Sequence, residues 1–332
     1  MLLKNQSITG HQIREQNLLT LRRALHKEQV ATISCLKELT GLSVVTINKL
    51  IMSLLETGEI TQGELVSTSG GRPAASFRYN ATHKLMLIIS CYQRAGNDYA
   101  CYSVHDLFGE CIERREELLS KIHTDEFRIG IERVLDLYSK VAIIGISMPS
   151  DTIGGRVASA LRHDPRSKRL AQHLQKRFNV PVFFETDINA ATLGCHARYP
   201  NHHYVSGVVL VPGRAPACGF CYQGSLLRGK DGMAGEIRYF PMYNDMGVLP
   251  VDPLQADELA QRTIRAVMCV LNPSLMVVYT ETLKSGIAER MKKRFSSEAE
   301  IAFMPKIEIN SKIRDDIVSG MIILCLEKLA KL

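Results

Sequence analysis

Between Ala31 and Arg78 the apolar positions change their period twice. In ATISCLKELTG, Ile33, Leu36 and Leu39 recur at helical spacing and predict a short amphipathic helix. Gly41 follows; glycine takes positive φ without a steric cost, so it supplies a sharp turn. Leu42 can then plug the space between two helices. Ser43 is a good N-cap, because its hydroxyl accepts from a free N–H of the first turn. A second helix, SVVTINKLIMSLLETG, buries Ile47, Leu50, Ile51, Leu54 and Leu55, and Gly58 ends it. The segment EITQGELVSTSGGRPAASFRYN then switches to short runs flanking a Ser-Gly-Gly-Arg-Pro tip, which predicts a two-stranded hairpin. Upstream, His11 to His26 carries Ile13, Leu18, Leu21 and Leu25 and predicts an earlier helix behind a poorly ordered arm of residues 1–10.

Helix, turn, capped helix and hairpin in this order predict a winged helix-turn-helix over residues 1–80. Its second helix leaves Val44, Val45, Thr46, Asn48 and Lys49 outward near the N-terminus, beside the Ser43 cap. A recognition helix needs short polar groups and a cation there, against base edges and phosphates. The valines suit thymine methyl groups. Gly70 and Gly71 let backbone approach a phosphate closely, and Arg72 at the tip suits a narrow minor groove. Arg14, Arg22, Arg23 and Lys27 on the first helix either touch phosphate or form a solvated face.

Beyond residue 80 the pattern alternates. Leu85–Ser90, Tyr99–Val104, VAIIGISMP, VPVFFETD and SLMVVYTE predict strands. YVSGVVLVPG, APACGFCYQG and SLLRG predict a strand-turn-strand group, and HDLFGE is a turn before CIERREEL. Asp125–Lys140, Ser167–Phe178, INAATLGCHARY, Asp257–Leu271, Ser285–Phe295 and Arg314–Leu332 predict helices. This alternation indicates two α/β lobes, over 81–190 and 191–332, with the last helix available to pack back on the first lobe. A cleft between such lobes is the default ligand site.

Composition changes this picture little. The chain has 332 residues, a formal net charge of +7 and a pI near 8.9, which allow a polyanionic partner. Its nine cysteines form no C-x-x-C pair, and Cys35, Cys91, Cys101, Cys269 and Cys325 lie in apolar surroundings. That favours reduced thiols in the cytoplasm. The start lacks the apolar run of a signal peptide, and no apolar stretch reaches the ~20 residues of a membrane span.

Taken together, the SGGRP wing, IGISMP followed by GGRVASA, ETDINAATLG and LLRGKDGMAGEI resemble the ROK family of repressors, open reading frames and sugar kinases. The resemblance implies a two-lobed actin-like, hexokinase-type (ribonuclease H-like) fold. It also implies cytosolic repressors, dimeric or tetrameric, that bind an inverted-repeat operator in double-stranded DNA and answer to a sugar or sugar phosphate. The family's Asp-x-Gly-Gly-Thr phosphate loop reads SCYQRAGND here, with Tyr92, Gln93 and Arg94 in place of small residues. Its Gly-Thr-Gly-x-Gly loop reads PGRAPACG, with Arg214, Pro216 and Ala217, and its late glycine cluster reads YTETLKSG. Phosphoryl transfer depends on positioning and electrostatic stabilisation, so these losses predict no kinase activity and no ATP cofactor.

The zinc motif is absent too: Tyr239 holds its histidine position, and no cysteine lies between Cys221 and Cys269. A structural zinc needs about four such ligands, so no metal is expected and packing through Phe240, Tyr243 and Leu249 must hold the loop. Asp187 matches the kinases' catalytic base and Glu236 a second sugar-binding carboxylate. Asn189 either faces the ligand or caps the helix. Arg162 stands where an asparagine is usual and suits a phosphate or carboxylate. These four are the effector-binding candidates. The alternatives are an active sugar kinase and a ligand-independent DNA-binding dimer.

Overall fold

The computed structural model describes residues 10–66, 73–119, 124–149, 165–244, 247–280, 286–293 and 301–330. The chain forms two compact units. One runs to Lys84 and takes in Asp106–Glu110; the other holds Leu85–His105 and Cys111 onward.

The first unit has helices α1 (Gly10–Glu28), α2 (Ile33–Thr40) and α3 (Val44–Glu56) and strands β1 (Val30–Thr32), β2 (Ile60–Val66) and β3 (Ala74–Tyr79). The strands make one antiparallel sheet in the order β1-β3-β2. Thr32 caps α2 through the Cys35 N–H, and Gly41 closes it at φ +69°. The break turns α3 by 113° from α2. Leu21, Leu25, Leu36, Ile47, Leu50, Ile51, Leu54, Ile60 and Phe77 form the core, and Leu42 packs on it as its sequence position predicts. Two expected core residues lie outside: Leu39 is 47% exposed and Ile13 51%. The left-handed turn at Gly41 folds Leu42 back onto the core and leaves Leu39, in the last turn of α2, facing water.

In the second unit one sheet is built from β4 (Leu85–Arg94), β5 (Asn97–His105), β6 (Cys111–Leu119), β7 (Val141–Met148) and β8 (Val182–Thr186). Its order is β6-β5-β4-β7-β8, with β4, β7 and β8 parallel. Helices α4 (Thr124–Leu137) and α5 (Pro165–Phe178) supply Phe127, Ile131 and Leu174 to one face, against Leu87, Ile89 and Ile144. Next come α6 (Asp187–Arg198), β9 (Tyr204–Val209), β10 (Ala217–Tyr222), β11 (Ser225–Leu226), α7 (Pro253–Leu271), β12 (Leu275–Tyr279), α8 (Ile287–Lys292), β13 (Lys306–Asn310) and α9 (Ile313–Leu329). The second sheet runs β11-β10-β9-β12-β13. β13 was not expected; a five-residue edge strand with Lys306 and Glu308 gives almost no hydrophobic signal. Cys91, Cys101 and Cys325 are buried as expected, but Cys269 is exposed on α7 beside exposed Val270. Among the described residues no single helix is long and apolar enough to cross a membrane.

Helices α6 and α9 lie between the sheets, and one core joins Met86, Ile88 and Ile143 of the first to Val205, Val277 and Tyr279 of the second. The helices cross at glycines. A Cβ on Gly194 would stand 2.0 Å from the Asp316 carbonyl oxygen, and one on Gly320 would stand 1.9 Å from that of Ala190. Backbone cannot yield as a side chain can. We expect Gly194→Ala and Gly320→Ala each to cost about 3 kcal/mol, the upper end of ordinary overpacking, read as a lower urea midpoint at unchanged slope.

Candidate functional site

The exposed face of α3 is set by its cap and its buried stripe. Ser43 Oγ accepts from the Thr46 N–H (3.1 Å) and lies 2.9 Å from the Thr46 hydroxyl. The two side chains thus lock the first turn, and Thr46 is half-buried. Val44, Val45, Asn48, Lys49 and Met52 share the outward stripe, with Val45 65% exposed. Gly70, Gly71 and Arg72 lie outside the described residues.

Arg22 does not face a phosphate. Its Nε and one terminal nitrogen grip the two oxygens of Glu59 at 2.6 and 2.7 Å. Glu59 is buried at the start of β2, so the pair pins α1 to the hairpin and raises the arginine's affinity for its proton. Burial, and then Glu59, pushes the nearby Tyr79 hydroxyl up to about 12. Arg14, Arg23 and Lys27 remain exposed.

The loops that flank nucleotide in the kinases take another form. Ala95 (φ +51°) and Gly96 (φ +79°) make a two-residue turn that pairs Arg94 with Asn97 across a tight β4–β5 hairpin. Behind it Tyr92 stacks on Tyr99 with ring centres 5.7 Å apart. The Arg94 guanidinium lies over Tyr99 at 4.4 Å, and Arg314 of α9 lies over Tyr92 at 4.5 Å. The Tyr92 hydroxyl and Arg94 both bond Glu116. The tyrosine hydroxyl, more than the arginines, draws the Glu116 carboxyl below its usual range.

The β9–β10 loop has few N–H groups to offer. Pro212 and Pro216 carry none. Gly213 donates to the Leu249 carbonyl (2.8 Å) and Arg214 to that of Val211 (3.1 Å). Arg214 also donates to Gln93 Oε1 at 3.3 Å, so the two loops meet each other. Leu249 and Tyr243 are buried, and the Tyr243 hydroxyl lies 2.6 Å from that of Thr263, so packing holds this segment.

Two of the effector candidates, Asp187 and Asn189, stand in the first turn of α6, after β8. Thr186, not Asn189, caps α6. Asp187 is half-buried and accepts from the Ile188 N–H at 2.6 Å. Asn189 is buried, and its amide donates to Glu185 Oε1 at 3.0 Å. Glu236 comes from a loop pinned to β10, where the Cys218 N–H donates to the Gly235 carbonyl at 2.9 Å. Its carboxylate pairs with Arg238 at 3.3 Å. Arg162 lies outside the described residues.

Sequence reasoning missed Glu185 and Arg228. Glu185 ends a buried strand and is 4% exposed. It accepts from Arg228 (3.0 Å), Asn189 (3.0 Å) and the Thr186 N–H (3.1 Å). The signal was a carboxylate closing an apolar run, since a buried charge must be paired. Arg228→Ala should cost about 2 kcal/mol, below the usual figure for a buried pair because the arginine is partly solvated. Glu185→Gln should cost less, because its amide oxygen can still accept from Asn189. Urea unfolding of both variants checks the order.

Residues 103–249 match the ROK family model. Two curated relatives are xylose repressors. That of Caldicellulosiruptor bescii is 22% identical over 68% of this chain and 58% of its own length. That of Bacillus spizizenii is 25% identical over 68% and 60%. The chain thus spans less than two thirds of the curated relatives it matches. Among solved structures, a ROK family transcriptional regulator homologous to the E. coli MLC protein superposes with a TM-score of 0.67 at 15% identity, covering 96% of this chain and 98% of that one. The ROK hexokinase of Thermus thermophilus gives 0.55 at 15% identity, covering 74% and 99%. At these identities the superpositions establish the fold: two α/β lobes of the actin-like, hexokinase type.

Proposed function

We propose that the protein is a DNA-binding transcriptional repressor whose kinase-like unit senses a sugar and does not phosphorylate it. One observation carries the reading: a capped helix across a 113° turn presents Val44, Val45, Asn48, Lys49 and Met52 to solvent. Exposed Val44, Val45 and Met52 beside Asn48 and Lys49 give the stripe a mixed apolar and polar character that suits contact with a partner surface. With the β2–β3 hairpin they make a winged helix-turn-helix, and Gly70, Gly71 and Arg72 fall between its two strands in the sequence. Residues 1–84 hold ten Lys and Arg against six Glu and no Asp, a balance that suits a phosphate backbone.

As a symmetric dimer the protein would set two α3 helices in successive major grooves of an inverted repeat. The filled hairpin and the proline-bound β9–β10 loop offer few free N–H groups to ATP phosphates, which supports a sensor without kinase activity; residues 281–285 of the late loop lie outside the described residues. Asp187, with Glu236 and Arg162 as further candidates, supplies acceptors and a cation for a sugar or its phosphate. The xylose repressors among the relatives make xylose the first sugar to try. An effector can act only if it binds the DNA-competent and DNA-free states with different affinity.

Footprinting upstream of the protein's own gene at near-physiological salt should protect an inverted repeat; its absence beside ordinary non-specific binding overturns the reading. On that site Asn48→Ala should relax base preference, by about 1–3 kcal/mol at one position. Lys49→Ala should weaken all sequences alike and flatten the salt slope by about one. Magnesium-ATP at millimolar concentration should leave the melting temperature unchanged, whereas a rise would restore the kinase reading, because any ligand selective for the folded state stabilises it.

A further inference from the structure

Within the second unit, the face that the first sheet turns toward α6 and α9 is apolar up to one row. Met86 and Ile88 of β4 and Ile143 of β7 lie in the core shared with those helices. The register then aligns Ile88 with Gly145 and Gly145 with Phe183. A Cβ on Gly145 would meet Met321 and Cys325 of α9, so the helix packs directly on this row. Two residues further along each strand the register aligns Ser90 with Ser147 and Ser147 with Glu185. Side chains alternate along a strand, so these three share the face of Ile88, Gly145 and Phe183. The row lies near the carboxyl ends of the parallel strands β7 and β8, where open α/β sheets bind ligands.

Ser90 and Ser147 are 6% and 1% exposed, and neither hydroxyl has a hydrogen-bond partner. Other buried hydroxyls among the described residues of this unit find one. Ser103 donates to the Ile88 carbonyl at 3.4 Å, Thr192 to that of Ile188 at 2.7 Å and Thr263 to that of Leu259 at 2.8 Å. A buried hydroxyl without a partner destabilises a fold, and alanine would fill the same place without that penalty. Two of them side by side point to a partner from outside the chain.

The geometry also indicates its chemistry. Adjacent strands lie about 4.8 Å apart, so one oxygen set between the two serines can bond both. Serine hydroxyls donate and accept, which matches another hydroxyl; a phosphate only accepts and seeks cations and N–H groups. The charge that closes the row is a carboxylate, Glu185, whose oxygens already accept from Arg228 and Asn189. Asp187 opens α6 two residues after it.

We infer that Ser90 and Ser147 form the floor of a sugar subsite and share one hydroxyl of a neutral sugar between them. The inference deepens the sensor reading and rests on it.

Ser90→Ala, Ser147→Ala and the double variant are unfolded in urea without sugar, then melted with and without millimolar D-xylose or D-glucose. Without sugar, each midpoint should equal or exceed that of the wild type, since no bonded group is removed. The sugar that raises the wild type's melting temperature should bind each single variant about tenfold more weakly and should leave the double variant unshifted. A lower sugar-free midpoint marks the serines as holders of a structural water and overturns the subsite. A sugar response equal to the wild type's overturns it as well and leaves the sensor reading standing. A wild type that responds to neither sugar fails the sensor reading and the subsite with it, while DNA binding is judged separately by the footprint.

Discussion

The crossing of α6 and α9 is the constraint on which the second unit depends. At Gly194 and Gly320 the two backbones approach until no Cβ fits. The crossing lies in the core that the two sheets share, so α6 cannot shift without moving both. The second sheet makes the same concession: Gly207 and Gly219 leave room for Thr192, whose Oγ1 would lie 2.4 Å from a Cβ at either. A buried network adds direction to this contact. Asp316 accepts from Tyr279, Arg198 and Asn310 at 2.8, 2.9 and 3.1 Å, tying α9 to β12, α6 and the end of β13. Asp187 and Asn189 sit on the first turn of α6, so the position of the candidate effector groups follows from glycines along the same helix.

How much of this was legible depends on range. Ser43 as cap, Gly41 as turn and the stripe of Ile47, Leu50, Ile51 and Leu54 are local consequences of period and φ, and the structure has them all. HDLFGE was legible as a turn for the same reason, since Asp and Gly at that spacing bond their own backbone. What it packs against was not, because Ala81, His26 and Tyr79 lie far away along the chain. Arg22 shows the same limit. On a helical wheel it is one more surface cation; only the fold brings Glu59 to it, 37 residues on. The pairing of Glu185 is a matter of range too: it closes a buried strand, and its partner Arg228 lies 43 residues further on.

Losses in the nucleotide site are not simple erosion. A decayed phosphate loop would lose its glycines and keep an open shape. Here the replacements bond one another: Tyr92, Arg94 and Arg314 stack and share Glu116, while Arg214 reaches Gln93. Each is a weak interaction at a partly solvated position. Together they join the hairpin to α9 and to the opposite loop. A kinase needs its lobes to open and close around ATP at every turnover. Under the proposed sensor reading, lobes held by these side chains change shape through a ligand that competes with or complements those contacts.

That difference decides where a signal can go. In the first unit the outward stripe of α3 is fixed by a core of Leu36, Ile47, Leu50 and Phe77 and by the Arg22–Glu59 pair. Melting α3 would therefore have to break a complete core.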